Sequence, residues 1–189
     1  MSEKRLSESL SEKIIVGGMN IFLECLYDSG EYLAGKSTTI VHNHSHLKFI
    51  TAILNSTLMS FYYQKIYSSM SLAGGYYRIG VPQIKNLPIA IPTNQALIKK
   101  LETKVDEIQK ICSMENIDDL KARKIFSEID DMIYQMYGLT DAEINFIKNF
   151  EMEIRMSGAD SDYKKMSTPT RAGKSSPHST VHEYPLRGV

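Results

Sequence analysis

The sequence predicts an α+β fold, in which a small, mostly antiparallel mixed sheet with packed helices is followed by a C-terminal helical hairpin or bundle. Short β-branched runs separated by turn signals fill residues 13–42, which is typical of strands. Apolar residues recur every three or four positions over residues 46–65 and again from residue 93, which is typical of helices with one buried face. The chain therefore divides into a polar lead of residues 1–12, an α+β core of residues 13–92, helices over residues 93–156, and a tail of residues 157–189.

The first strands are predicted at three places. Residues 13–16 and 37–41 are short β-branched runs, and residues 21–27 are apolar apart from one glutamate. Residues 28–31, Asp-Ser-Gly-Glu, are a turn signal between apolar runs and predict a hairpin.

A helix is predicted over residues 46–65, and Asn55-Ser56 either breaks it or starts a second, capped helix. Ser and Gly then mark a loop over residues 68–75. The pattern that follows predicts a short strand at 76–79, a helical turn at 82–86 and an extended apolar strand at 88–92.

Three further helices are predicted in the C-terminal part. Thr93 is expected to cap a helix that ends near residue 114, and Asn116 to cap a second helix that ends near Tyr137. The glycine after Tyr137 is a natural helix stop, and residues 140–143, Thr-Asp-Ala-Glu, form a capping box that opens the third helix. The tail is rich in Ser, Thr, Pro, Gly and Lys, so we predict disorder there, in either native or vector-derived residues.

Charge is distributed unevenly along the chain, although the net charge is zero. Residues 32–101 contain seven Lys or Arg and no Asp or Glu, whereas residues 102–162 contain fifteen acidic and seven basic residues. A surface that lies on duplex DNA must keep carboxylates away from the phosphates. The acid-free stretch therefore makes nucleic acid the first partner to consider, and chance beside a solvated helical region is the alternative.

Composition disfavours several other classes of protein. No stretch approaches the roughly 18 apolar residues that span a bilayer, and the N-terminus lacks the apolar core of a signal peptide. Cys25 and Cys112 lie far apart without metal-type spacing, which favours a reducing setting. We therefore expect a cytoplasmic protein with no membrane partner.

Residues 30–37, Gly-Glu-Tyr-Leu-Ala-Gly-Lys-Ser, match the P-loop expression for nucleotide binding. In a working P-loop, Ser37 would open a helix whose amides hold phosphate, but the Thr-Thr-Ile-Val that follows predicts a strand. The next acids begin at Glu102, inside a predicted helix, so no strand-borne magnesium ligand follows. A short hairpin with a lysine beside its exit is the preferred interpretation.

Three histidines at alternate positions, His42, His44 and His46, would share one face of a strand and could hold zinc there. No Cys or carboxylate lies close in sequence to complete four ligands, so a polar loop that contacts phosphate is preferred. The aspartate pairs 118–119 and 130–131 lie among Lys and Arg on a predicted helix and are interpreted as a solvated face. We expect neither a metal nor a cofactor in this chain.

The most informative run is residues 74–89, Gly-Gly-Tyr-Tyr-Arg-Ile-Gly-Val-Pro-Gln-Ile-Lys-Asn-Leu-Pro-Ile. Its two glycines allow a tight turn or a close approach of the backbone to a partner. Tyr76 and Tyr77 point to opposite faces of an extended chain, and Arg78 can bridge phosphates or the two major-groove acceptors of guanine. A glycine turn into a half-buried strand, with Arg78 solvated, is the alternative.

Together with its flanks, this run resembles a known family. The flanks are Glu-Lys-Ile-Ile-Val at 12–16, Tyr-Leu-Ala-Gly-Lys-Ser at 32–37, Ala-Ile-Leu-Asn-Ser-Thr-Leu-Met-Ser-Phe-Tyr at 52–62, and the helix from residue 93. Their order resembles the TaqI-like C-terminal specificity domain of type II restriction–modification enzymes, which are adenine-N6 DNA methyltransferases, some fused to an endonuclease. The resemblance extends over residues 12–115, with a less distinctive helical continuation to residue 150.

The resemblance implies that the core is a target-recognition domain for double-stranded DNA. In this family, such a domain reads the bases while a catalytic domain or subunit holds the flipped adenine. S-adenosylmethionine would belong to that catalytic partner, because this chain lacks the Gly-rich loop and the Asn/Asp-Pro-Pro-Tyr motif. We therefore expect that the chain is not an enzyme by itself, and that it is a fragment or a separate recognition subunit.

Contacts with DNA divide into those that position the backbone and those that read bases. From residue type and loop position, the predicted positioning set is Lys36, Lys48, Lys65, Lys85, Ser68, Ser69 and Gly75. The predicted base or groove contacts are Arg78, Tyr76 or Tyr77, Gln64, and His42 or Asn43.

Two other functions remain open at this point. The first is an interaction module that presents a helical hairpin, residues 93–137, for docking or dimerisation, similar to the specificity subunits of type I systems. The second is a stand-alone enzyme, which would need a catalytic cluster that the acid-free stretch does not offer. A steep loss of DNA binding with salt would distinguish the recognition domain from the interaction module.

Overall fold

The α+β prediction is confirmed by a computed structural model, which describes residues 3–156. The predicted disordered tail lies outside these residues. No helix between residues 3 and 156 has both the length and the apolar character that crossing a membrane requires. The elements in chain order are α1 (Glu3–Ser9), β1 (Lys13–Gly17), β2 (Met19–Asn20), β3 (Cys25–Asp28), β4 (Thr38–His42), α2 (Leu47–Leu54), α3 (Thr57–Ile66), β5 (Tyr77–Arg78), α4 (Val81–Lys85), α5 (Gln95–Cys112), α6 (Asp119–Met136) and α7 (Asp141–Met156).

The main sheet is antiparallel and has the strand order β3-β1-β4. Ile14 of the central strand pairs with Tyr27 on one side and Val41 on the other. The hairpin predicted at residues 28–31 is therefore wrong, because β1 lies between the two strands that it would have joined. The loop of residues 29–37 instead crosses from one edge of the sheet to the other.

A buried ion pair organises the start of this loop. Lys13 contacts Asp28 with both side chains almost fully buried, and its ammonium also donates to the carbonyl of Ser9 at 2.6 Å. Asp28 in turn accepts from the amides of Glu31 at 2.9 Å and Tyr32 at 3.3 Å. These bonds turn the chain away from β3 and explain why no tight hairpin forms.

The strand predicted over residues 21–27 is only partly formed, since β3 begins at Cys25. The amide of Leu23 donates to the Ser60 hydroxyl at 3.1 Å, and the carbonyl of Ile21 accepts from Gln64 at 2.7 Å. Side chains of α3 thus make the bonds that a neighbouring strand would supply. The segment at residues 88–92, also predicted as a strand, is irregular.

The helices follow the predicted pattern, with differences at their ends. The long helix over residues 46–65 breaks at Asn55, and Ser56 caps α3 by accepting from the amide of Met59 at 3.2 Å. The caps of α5 and α6 are Asn94 and Asp118, rather than the Thr93 and Asn116 that we predicted. In both helices, the side chain one or two positions farther along is the one that reaches the free amides.

The core lies between the main sheet and the helices that follow it. α2 is almost entirely buried and packs between the sheet and α5, which in turn packs on α6. α7 closes the far side by packing on α3, where Phe61 makes edge-to-face contacts with Phe146 and Phe150.

Candidate nucleic-acid interface

Gly18 joins the two sheets and brings two predicted loops together. Its amide donates to the carbonyl of Ser37 at 2.9 Å, and its carbonyl accepts from the amide of Ile79 at 2.9 Å. A Cβ at this position would lie 2.1 Å from the Ser37 carbonyl oxygen, so the close approach requires glycine. The backbones that carry Lys36 and Arg78 are therefore direct neighbours of the same residue.

Arg78 is exposed and is held by its backbone. It pairs with Met19 across the β2–β5 ribbon, and its carbonyl accepts from the Tyr63 hydroxyl at 2.7 Å. Within the described part of the chain, its guanidinium forms no ion pair with a carboxylate. The side chain is thus a positive group on a fixed support, as a contact with phosphate or a base edge requires.

Tyr63 is the main support beneath this ribbon. Burial raises the pKa of its phenol to about 12, so the hydroxyl stays protonated at neutral pH and acts as a donor. Its ring lies 4.8 Å from that of Tyr67 and 5.9 Å from that of Tyr77. Tyr77 is accordingly half-buried in an aromatic cluster, and Tyr76 is half-buried as well, so Arg78 is the exposed side chain among these three residues.

The predicted loop between α3 and β5 is a small lobe closed by its own hydrogen bonds. The amide of Leu72 donates to the carbonyl of Tyr76 at 2.7 Å. Ser71 and Tyr77 form an isolated antiparallel β-bridge. Gly74 and Gly75 both have positive φ, 79° and 78°, which allows the turn. The lobe presents Ser68, Ser69 and Gly75 to solvent, as the predicted positioning contacts require.

Three predicted contacts are engaged within the protein. Gln64 is 4% exposed and bonded to the main chain of Ile21, so its assignment as a base contact is wrong for this conformation. Lys48 forms an ion pair with Asp106 of α5 at 2.8 Å. Lys65 is exposed, but its ammonium lies 4.0 Å from the ring centre of Phe150 in α7.

His42, Asn43 and Lys85 form a second group, away from the lobe. His42 and Lys85 line one groove beside β4, and Asn43 has a positive φ of 60° at the end of that strand. The Nδ1 atom of His42 is buried without a hydrogen-bond partner in the described residues. Lys85 gives this group a positive charge, and no carboxylate is among the residues that line the groove.

Neither small-ligand motif has the geometry of its chemistry. Ser37 leads into β4 rather than into a helix, in agreement with our interpretation of the P-loop match. The three histidines do not share one face, because the strand ends at His42 and His44 accepts from the amide of His46 at 3.2 Å. Across the described residues, no three His, Cys, Asp or Glu side chains are grouped to hold a metal.

Sequence reasoning missed the contribution of the second β-strand to this surface. Met19 and Asn20 pair with Arg78 and Tyr77, and Met19 is 54% exposed beside Arg78. The available signal was the Gly17-Gly18 doublet, which ends β1 and allows the chain to pass close to Ser37.

The family model for the TaqI-like C-terminal specificity domain matches residues 2–89. The match confirms the resemblance to this family that the sequence motifs indicated, but it covers a different range of residues. It includes α1 and ends before α5, whereas the sequence motifs indicated a range of residues 12–115. No match was found among the curated proteins.

Proposed function

We propose that the chain recognises a base sequence in double-stranded DNA, because residues 2–89 match the family model of the TaqI-like C-terminal specificity domain. It does so for a restriction–modification methyltransferase or a restriction endonuclease. The matched segment contains both sheets, the lobe and α4, and therefore every residue of the candidate interface.

The exposed guanidinium of Arg78 is the observation that carries this proposal. Arg78 belongs to a ribbon that Tyr63 and Gly18 fix, and Gly18 also bonds to Ser37, the neighbour of Lys36. No carboxylate occurs in sequence between Glu31 and Glu102 to repel a phosphate backbone. Basic and polar groups on segments that themselves lack carboxylates favour DNA over an acidic protein ligand, because these groups are spread over a lobe, a ribbon and a loop.

We assign catalysis to another domain or subunit. S-adenosylmethionine and the pocket for the flipped adenine would belong to that partner. The present chain would fix the position of the duplex, so that only sites with the correct sequence place an adenine in the catalytic pocket.

The test compares two arginine variants. The duplex carries the base sequence that the unmodified chain enriches from a randomised pool. Arg78→Ala is expected to weaken binding by about 1 to 3 kcal/mol and to relax specificity at one base position. Arg123→Ala removes an equally exposed arginine from the acidic helix α6 and serves as the matched control. Equal affinity and equal specificity of the two variants would contradict the proposal.

A second candidate function is docking or dimerisation through the α5–α6 hairpin. It is favoured by Leu120, which is 82% exposed at the start of α6, and by Phe126, which is 41% exposed. Sedimentation of the full chain tests it, since a dimer through this hairpin would dissociate in Leu120→Ser. A monomer at all concentrations would rule out self-association.

A further inference from the structure

The two outer edges of the main sheet, β3 and β4, differ in how their outward backbone groups are hydrogen-bonded. On β3, the outward backbone groups belong to Cys25 and Tyr27, and both are bonded by side-chain amides. Asn55 accepts from the amide of Cys25 at 2.7 Å and donates to its carbonyl at 2.8 Å. Gln109 does the same for Tyr27, at 3.2 and 3.0 Å. Two side chains thus replace a neighbouring strand along this edge.

The register of β4 identifies which of its groups face outward. The amide of Gly18 donates to Ser37, so that pair and every second pair along the ladder are bonded to β1. Ile40 lies between the bonded pairs and therefore turns its N–H and C=O away from β1, as does His42.

This outer edge of β4 is uncovered. In the described part of the chain, the outward amides and carbonyls of Ile40 and His42 have no hydrogen-bond partner. At the start of the strand, the outward amide of Thr38 donates to the carbonyl of Gly35 at 3.3 Å. Two donors and two acceptors therefore alternate along an open strand edge, which is a template for pairing.

An apolar groove runs beside this edge. Its volume is about 430 Å³, and one wall is formed by β4 while the other is formed by α4 and the irregular segment after it. The second wall contributes Val81, Ile84, Leu87, Ile89 and Ile91. Val81 and Ile91 remain 50% and 44% exposed, so the groove has apolar surface still to be covered.

The ionisable side chains of the groove are all basic. His42, His44 and Lys85 line it, and no carboxylate is among its lining residues. The buried Nδ1 of His42 has no partner in the described residues, which leaves one further hydrogen bond for an occupant to make.

We propose that β4 accepts an extended segment of the catalytic partner as an added strand. The segment has apolar side chains at alternate positions, which fill the groove, and a carboxylate that faces Lys85 and His42. This inference rests on the proposed function, because that function supplies the catalytic partner. It gives the domain a fixed attachment on a different element from the lobe and ribbon that face DNA.

The geometry distinguishes this occupant from two others. A DNA backbone offers acceptors but no donors, so it cannot satisfy the alternating N–H and C=O groups of a strand edge. A second copy that paired through β4 would bring two Lys85 side chains into one groove, and their like charges would oppose the contact.

The experiment uses the full chain and a phage-displayed library of random linear peptides. Enriched peptides are expected to alternate apolar residues and to contain an Asp or Glu. Ile40→Pro removes the outward amide without breaking the ladder to β1 and is expected to lower peptide affinity about tenfold. Ile40→Thr changes the side chain but keeps the amide, and is the matched control that retains binding.

A second readout does not depend on the folding of a variant. Addition of the enriched peptide should slow hydrogen exchange at the amides of Ile40 and His42 in the unmodified chain. The inference is overturned if no such peptides are enriched, or if they leave these two amides unprotected. Protection of the same amides by duplex DNA, or self-association lost in Ile40→Pro, would assign the edge to DNA or to a second copy instead.

The failure of this inference is distinguishable from the failure of the proposed function. Ile40 is outside the candidate DNA contacts, so Ile40→Pro should bind duplex DNA as the unmodified chain does. DNA binding without peptide binding would remove only the strand-addition inference. Peptide binding without DNA binding would remove the proposed function, and with it the assignment of the peptide to a catalytic partner.

Discussion

The contact between Lys13 and Asp28 shows how single residues shape the region that carries the interface. Lys13 is the first residue of β1, and Asp28 is the last of β3, yet both side chains are buried. The pair ties the end of α1 to the loop that leads toward Lys36. Neither partner is recognisable as buried from sequence, because each occupies the polar end of an apolar run.

Removal of either partner is expected to destabilise the chain strongly. Lys13→Met and Asp28→Leu each leave a buried charge unpaired, so each should lower the free energy of unfolding by about 3 to 5 kcal/mol. The double variant should lose much less than the sum, because no charge is then left uncompensated. Urea unfolding measures all three, with the exposed Lys110→Met as control. Single variants within 1 kcal/mol of the unmodified chain would contradict a buried pair.

Gly18 provides a second test at the scale of one residue. Gly18→Ala should force the backbone of Ser37 to move and should destabilise the chain by about 1 to 3 kcal/mol. A Cβ at Gly80 meets the flexible end of Gln83 at 3.1 Å and Pro82 at an ordinary contact distance of 3.7 Å, so Gly80→Ala serves as the control. Thermal unfolding of both variants checks this, and equal melting temperatures would show that the two sheets can separate without cost.

At the scale of elements, the C-terminal helices are attached to the core through the first residue of α3. The amide and hydroxyl of Thr57 donate to Asp130 of α6 at 2.8 and 2.7 Å, and the hydroxyl also lies 3.3 Å from Glu151 of α7. Burial raises the pKa of the Asp130 carboxyl to about 6, against the opposing effect of the Thr57 bonds. The helical part and the matched domain therefore share a titrating contact.

This contact predicts a pH dependence of stability with a defined sign. The unfolded chain releases the Asp130 proton near pH 4 and the folded chain only near pH 6, so stability should fall as pH rises through this window. Asp130→Asn removes that fall, which amounts to at most about 3 kcal/mol at 1.4 kcal/mol per pKa unit. Asp130→Asn should therefore gain stability relative to the unmodified chain from pH 4 to pH 6. A difference independent of pH would contradict the raised pKa.

The elements also show what the sequence can predict. Periodicity identifies α2, α3 and the three long helices, since a buried stripe is a property of each segment alone. Strand partners depend on distant residues, which is why the predicted hairpin at residues 28–31 is replaced by a crossover around β1. Likewise, the family motifs lead to Arg78 and the lobe, but burial of Gln64 and the engagement of Lys48 with Asp106 depend on contacts across the fold.

For the whole molecule, the separation of basic and acidic residues along the sequence is only partly kept in the folded chain. Part of the basic stretch is neutralised by the acidic helices, since the Lys48 ammonium lies 2.8 Å from the Asp106 carboxylate. Lys36 and Lys85, both exposed, have no such partner within the described part of the chain. Since Lys85 lines the proposed peptide groove, the exposed basic groups that remain for DNA are Lys36 on its loop and Arg78 on the ribbon.

This arrangement predicts a salt dependence that can be assigned to residues. The logarithm of DNA affinity should fall linearly with the logarithm of salt concentration, with a slope set by the number of phosphate contacts. Replacing Lys36 with Ala should reduce that slope by about 1, for the one lost contact. Titrations at several salt concentrations measure this, with the exposed Lys110→Ala as the control. An unchanged slope would place the phosphate contacts elsewhere.

The most direct test of sequence recognition is selection from a randomised duplex pool by the purified chain at low salt. The retained DNA is then sequenced. We expect one short enriched motif. Arg78→Ala should lose the base preference at one position of that motif, whereas Arg123→Ala should keep it at every position. Failure to retain any duplex at low salt would contradict the account and favour docking through the α5–α6 hairpin.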